Sequence, residues 1–443
     1  MAPMSRAEKI VVGVRPGDRA RGRDRAERGG CALAPAGFDL CLQTIPLGDP
    51  PPAAAPWPHA APPGFDAPPP GPSRAAGAIF DLTRLLGAAG RPFATGIDRF
   101  DIALAKQLYA RLGDGLHFAA LRGEAARAVP WTGAVRFLDA LDRRWRGLRL
   151  SPGQRLALAR APILRRGRAP DLLRRRAAGG AIYVNGGHGG LLRSSAAMAM
   201  LDPDGRMPRR VILHDLIPLT HPKAQTPEGR ARFARFLAGV EAAPGRTLVL
   251  ANSAATAAEW DARGGPGAQV LRVALAPRAA VPAPGLVRDL LAPRLTAAPG
   301  PLFVCLGTVE PRKGHAMLLD IWEEFARFGR AAPAPRLAVV GRRGWAERGL
   351  VQRLLDPPPG VVWLDGATDA EATALLAHSD GLLMPSGAEG LGLPAMEAAA
   401  LGVPALLSDL PALREAGGPS ARFLPPGDHA AWAAAIHELC MHA

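Results

Sequence analysis

Lysine is almost missing from this chain of 443 residues: Lys9, Lys106, Lys223 and Lys313 are the only four, although Lys and Arg together number 54. The formal charge of +15 is therefore an arginine charge of the kind that codon bias in a GC-rich genome produces, and it does not by itself call for a polyanion. Aromatic residues are also few, at 5%, and no RNA-binding signature interleaves them with the basic residues, so no nucleic-acid partner is expected. Cysteine is scarce as well. Cys31, Cys41, Cys305 and Cys440 show no metal-ligand spacing, and this usage suits a reducing cytoplasm. No apolar run reaches about 18 residues, and the basic N-terminus lacks the apolar core of a signal peptide, so neither a membrane span nor secretion is expected.

What is present in quantity is apolar residue, 48% of the chain and ample for a large core. The most informative stretch is Met384 to Pro404, MPSGAEGLGLPAMEAAALGVP. An apolar run from Gly381 to Met384 predicts a buried strand, GLGLP predicts a glycine turn, and Pro394 suits the first position of a helix. Strand, turn and helix start in that order build an anion site, because the first helical amides have no internal partners and carry the positive end of the dipole. Glu389 and Glu397, with seven residues between them, are acceptor-only groups, suited to sugar hydroxyls rather than to the phosphate itself. Upstream, PLFVCLGTVEPRKGH predicts a strand ending in Gly307 and Thr308, followed by Arg312 and Lys313 before a helix. Two cations at a strand's carboxyl end can hold a diphosphate, arginine by its planar fork and lysine as a point charge.

MPSGAEGLGLPAMEAAALGVPALLSDLPALREAGG resembles the donor-binding signature of retaining glycosyltransferases of the GT-B fold, in the large family numbered four, and GTVEPRKGH resembles that family's phosphate-binding loop. The resemblance implies an α/β protein with two Rossmann-like, doubly wound domains facing a cleft. It implies that Glu389 lies by the transferred hexose, that Glu397 holds the ribose hydroxyls, and that Arg312, Lys313 and the amides of Gly390, Leu391 and Gly392 meet the diphosphate. Gly307 belongs to the same expected donor site. HDLIPLTHP resembles the bacterial polysaccharide members, which puts His214 near the donor sugar, and the TGI segment adds Gly96 and Thr95, the latter expected foremost as a helix cap. No cofactor beyond the donor, a GDP- or UDP-sugar with GDP-mannose as first choice, and no metal are expected. The acceptor is expected to be a glycan or lipid-linked glycan. A nucleotide-sugar epimerase of the same fold, and a non-catalytic sugar-nucleotide-binding subunit, stay open as alternatives.

Along the chain, residues 1–75 hold a proline-rich tract and are expected to be largely disordered, with KIVVGV at 9–14 as a candidate strand. Residues 76–276 are expected to form the acceptor-side domain, opening with AIFDLTRLL, a strand followed by a loop that includes RPFATGIDRF, then a helix with Ile97, Phe100, Leu104, Leu108 and Leu112 on one face, and strand LHFAALR. Between Arg143 and Arg176 arginines and leucines alternate in blocks; this surface reads either as a dock for anionic inner-membrane lipid or as a solvated face. Strands ending at Asn185, at His214 and Asp215, and at Asn252 and Ser253 follow, with His188 in a glycine turn as a further candidate. Asp202-Pro-Asp-Gly reads as a turn rather than a metal motif. Residues 277–300 are expected as a linker and 301–443 as the donor domain, ending soon after a helix from Asp428 to Cys440, with little chain left to cross back to the first domain.

Overall fold

The computed structural model describes residues 44–45, 77–265, 267–271, 284–291, 300–329 and 334–442. Fourteen strands are described: β1 (Thr44–Ile45), β2 (Ala78–Asp81), β3 (Leu116–Arg122), β4 (Ala125–Val129), β5 (Ile182–Asn185), β6 (Arg209–Leu213), β7 (Thr247–Ala251), β8 (Gln269–Leu271), β9 (Leu302–Leu306), β10 (Arg336–Val340), β11 (Val361–Leu364), β12 (Gly381–Met384), β13 (Ala405–Ser408) and β14 (Ala421–Leu424). They form two sheets. The first runs β1-β8-β7-β6-β5-β2-β3-β4 and the second β11-β10-β9-β12-β13-β14. The second is parallel throughout, while the first is parallel from β8 to β3 and carries an antiparallel strand at each edge.

Burial on both faces explains why β5, β6, β9, β12 and β13 read as unbroken apolar or buried runs rather than alternating ones. Each sheet has a hydrophobic cluster on either side, so each domain has its own core. Strand order reverses between β2 and β5 in the first sheet and between β9 and β12 in the second. Such switch points open a crevice at the carboxyl ends of the strands, and the loops carrying most of the expected site residues leave from there.

The helix Gly96–Leu112 starts where the sequence says it should. Thr95 accepts from the amide of Asp98 while the Asp98 carboxylate accepts from the amide of Thr95, a reciprocal capping box. Its buried face includes Phe100, Leu104, Leu108 and Leu112. In the second domain the helix His315–Phe328 buries Leu318, Leu319, Ile321, Trp322 and Phe325, with Met317 partly buried beside them.

Several local expectations change. The strand expected over AIFDLTRLL stops at Asp81 and the chain continues as a short helix, Thr83–Ala88, and β4 makes a tight hairpin with β3 that the sequence reading did not include. The arginine-rich stretch lies in four helices, Trp131–Trp145, Pro152–Ala159, Ala161–Arg166 and Asp171–Ala178. Within the expected linker, Gly285–Leu291 is helical and Leu291 packs into the second domain's core. Thr44–Ile45 is an edge strand inside the segment expected to be disordered, whereas KIVVGV lies outside the described residues. The last helix, His429–His442, packs Trp432, Ala435 and Ile436 into the second domain's own core.

Candidate active site

Three side chains expected to handle the donor meet in the second domain. The loop after β9 carries Arg312 and Lys313, and the loop after β12 carries Glu389. Lys313 Nζ donates to Glu389 Oε1 at 2.5 Å, and Arg312 Nη1 lies 2.9 Å from Glu389 Oε2. Arg312 also reaches the Glu310 carboxylate at 2.6 Å and the Ala388 carbonyl at 2.6 Å. The two loops are pressed together at Gly314, whose φ of 69° and lack of a side chain are both required, since a Cβ there would sit 2.2 Å from the Pro385 carbonyl oxygen.

The cluster is buried, and burial alone would push the Glu389 carboxyl up. Lys313 and Arg312 overcome that penalty and hold it at about 2. Arg312 is held above its usual range: burial works against its charge, but Glu389, Glu310 and Asp215 prevail. Asp215, at the end of β6 in the opposite domain, is raised by burial against the pull of Arg312. The cations are thus fully charged and fixed before any ligand arrives. Fixed positive charge in a dry site is what a departing diphosphate requires.

Beside them, Gly392 adopts φ 82° and starts the helix Leu393–Leu401, with Pro394 in its first turn. Among the described residues the amides of Gly390, Leu391 and Gly392 have no backbone or side-chain acceptor, so the expected anion-binding turn retains free donors. Glu397, on that helix, is paired across the cleft with Arg99 of the helix Gly96–Leu112, a partner that the sequence reading missed.

The first domain meets this loop through its backbone. Ser253 Oγ and Thr256 Oγ1 donate to the Gly390 carbonyl, and a Cβ at Gly390 would fall 2.0 Å from the His214 carbonyl oxygen. Glu415 accepts from the amides of Ala254 and Ala255, closing the start of a helix in the opposite domain. Next to this seam a cavity of about 130 Å³ remains, with Gly96 and Thr95 on one wall and Gly307 and Thr308 on the other. Ligand pockets commonly span roughly 300 to 1,000 Å³, so this cavity by itself is too small for a whole sugar nucleotide.

His214 follows β6, with its backbone carbonyl against the Gly390 loop. The ring is buried; its Nε2 bonds the Gly186 carbonyl at 2.6 Å, and its Nδ1 lies 3.4 Å from Asn252 Nδ2. Burial, with His188 adding to it, lowers its pKa to about 3, so the imidazole is neutral. His188 accepts the His214 amide at 2.9 Å and packs on Phe233 and Phe236. Both histidines shape the wall behind the cleft. Asp202 accepts from the amides of Arg206 and Met207, making the expected turn.

Residues 300–442 match the family described as glycosyl transferases group 1. The second domain belongs to that family. Over 140 residues, 31% of this chain, it is 36% identical to a serotype-specific mannosyltransferase, WbdA, of Escherichia coli; the match covers 17% of that relative. An O-antigen chain mannosyltransferase B of Escherichia coli is 31% identical over 126 residues, 28% of this chain and 32% of the relative. The chain thus matches less than a third of the length of either relative. The solved structure of Anabaena HepE in complex with UDP and glucose superposes over 82% of this chain and 89% of that one, with a TM-score of 0.50 at 17% identity. That likeness concerns the fold, which is GT-B: two doubly wound domains and a cleft. Within the group 1 domain lie Arg312, Lys313, Glu389 and Glu397, all in the matched residues. No helix among the described residues is long and apolar enough to cross a membrane.

Proposed function

We propose that the protein is a retaining, metal-independent glycosyltransferase. It moves a hexose, with mannose as first choice, from a GDP- or UDP-sugar to a hydroxyl of a glycan or lipid-linked glycan in surface polysaccharide assembly. The observation that carries this reading is the buried pair of cations, Arg312 and Lys313, held on Glu389 beside the unspent amides of Gly390 to Gly392. The mannosyl preference follows the two Escherichia coli relatives, named as mannosyltransferases.

In this mechanism the bond between the hexose anomeric carbon and the diphosphate oxygen breaks as an acceptor oxygen bonds to that carbon on the same face. The leaving phosphate oxygen takes the acceptor proton. Arg312, Lys313 and the turn amides stabilise the charge that builds on the diphosphate, which gives them their largest effect in the transition state. Glu389 orients the hexose hydroxyls, and Glu397 exchanges Arg99 for the ribose. His214 contributes as the neutral wall that sets the Asp215 and Gly390 backbones.

The test is thermal stabilisation by a panel of nucleoside diphosphates and their sugars, with and without EDTA, on the protein and on Lys313→Ala and Glu397→Ala. A shift selective for one base, indifferent to EDTA and lost in both variants supports the reading. No shift with any nucleotide overturns it.

A further inference from the structure

Glu389 meets an incoming hexose already engaged. Both of its carboxyl oxygens receive a cation, Lys313 at one and Arg312 at the other. On the opposite wall the His214 ring is equally committed, with Nε2 on the Gly186 carbonyl and Nδ1 near Asn252. Ser253 and Thr256 spend their hydroxyls on the Gly390 carbonyl. A hexose entering between these groups loses water from its own hydroxyls, and each hydroxyl left without a new partner costs affinity.

Asp215 has an oxygen to spare. It follows His214 at the carboxyl end of β6 and is half-buried. Its Oδ1 accepts from the Ile217 amide at 3.1 Å, which fixes the side chain, while Oδ2 has no partner among the described residues. The donor loop comes up against it: a Cβ at Gly390, the residue after Glu389, would lie 2.8 Å from the Asp215 Cβ. Arg312 pulls the Asp215 carboxyl down and Glu389 pushes it up, as expected of three groups that face one gap. Asp215 nevertheless makes no ion pair with Arg312 or Lys313 among the described residues, so no such contact closes that gap. A further carboxyl offers nothing to a diphosphate, which it repels when charged. Sugar hydroxyls are donors that it can accept.

We propose that Asp215 determines specificity for the transferred hexose, accepting a hydrogen bond from one of its hydroxyls through Oδ2. The donor then bridges the two domains, with its diphosphate on Arg312 and Lys313 of the second and its hexose on Asp215 of the first. Affinity for the nucleotide and selectivity for the sugar reside on separate domains. This role rests on the transferase reading.

The test is calorimetric titration of the full chain with GDP and GDP-mannose, and with UDP and UDP-glucose, on the wild type, Asp215→Ala and Asp215→Asn. The quantity read is the Kd of the bare diphosphate divided by that of its sugar nucleotide, because a merely structural role for Asp215 moves both affinities together. For the sugar nucleotide that the wild type binds most tightly, this ratio should fall at least about tenfold in Asp215→Ala, the loss of one hydrogen bond to a charged acceptor. The bare diphosphate should bind that variant as tightly as the wild type, or more tightly. Asp215→Asn keeps the shape and an oxygen for the Ile217 amide, so it folds even where Asp215→Ala does not, and its ratio should fall about threefold. An unchanged ratio in both variants, or an equal loss for diphosphate and sugar nucleotide, overturns the proposal. Binding of no nucleotide by the wild type sinks the transferase reading instead, and this role with it.

Discussion

The two walls of the cleft treat buried polar groups in opposite ways. In the first domain burial lowers His188 and His214 to about 3, which leaves both neutral, and burial raises Asp101 and Tyr183 well above their usual ranges, which disfavours their charged forms. Asp98 is the exception, ionised beside Arg84 and Arg91 at 2.8 and 2.9 Å. In the second domain Glu389, Lys313 and Arg312 are buried and charged, each neutralising another. A neutral wall can be shaped to fit a sugar or an acceptor at little electrostatic cost. A charged wall, already desolvated, is suited to phosphate.

The contrast can be broken most forcefully at Glu389. Glu389→Leu leaves Arg312 and Lys313 buried without their shared carboxylate, and should cost about 3–5 kcal/mol in denaturant unfolding. A loss below about 1 kcal/mol would mean that the pair is solvated in the free protein.

Acid should weaken both walls. His188 and His214, and His315 in the second domain, titrate near 6.5 when unfolded but at about 3 when folded, so the unfolded state binds more protons below pH 6.5. Stability is therefore expected to fall as pH drops from about 6.5 towards 3. Glu389, held at about 2, adds its share only below about 4.5, in the same direction. A melting temperature flat between pH 6.5 and 4.5 would mean that the histidine share is matched by Asp101 and Asp215, whose raised carboxyls act in the opposite direction.

Arg99→Ala removes the partner that Glu397 holds across the cleft. Nucleotide affinity should rise several-fold, in line with a partly exposed ion pair of up to about 1 kcal/mol. Weaker binding would instead make Arg99 a direct donor contact. The smallest effect is expected at Asp101, whose buried carboxyl oxygens lack partners among the described residues. Asp101→Asn should change stability by less than about 1 kcal/mol, because burial raises the carboxyl and already disfavours its charged form.

The donor wall was legible in the sequence for a physical reason. Its strands are short apolar runs, and Arg312, Lys313, Glu389 and Glu397 sit at fixed offsets from strand ends and helix starts, so local order places them. The missing partners are the long-range ones. Arg99 and Glu397 are 298 residues apart, and Ser253 meets the Gly390 carbonyl over 137 residues, distances at which no spacing rule operates. His214 illustrates the same limit: a polar residue at a strand end points to a crevice, but which of its atoms faces that crevice depends on Gly186 and Asn252. The helix Thr83–Ala88 and the β4 hairpin were missed because six and five residues carry too little periodicity.

The seam at Gly390 carries a consequence for measured affinities. Hydroxyls from Ser253 and Thr256 and the Glu415 carboxylate tie the two domains together beside a cavity of about 130 Å³. Where donor binding requires that seam to part, the apparent Kd equals the intrinsic one divided by the parted fraction. Every 1.4 kcal/mol by which the seam favours the compact arrangement makes the donor look about ten times weaker, with no change in any atom that touches it.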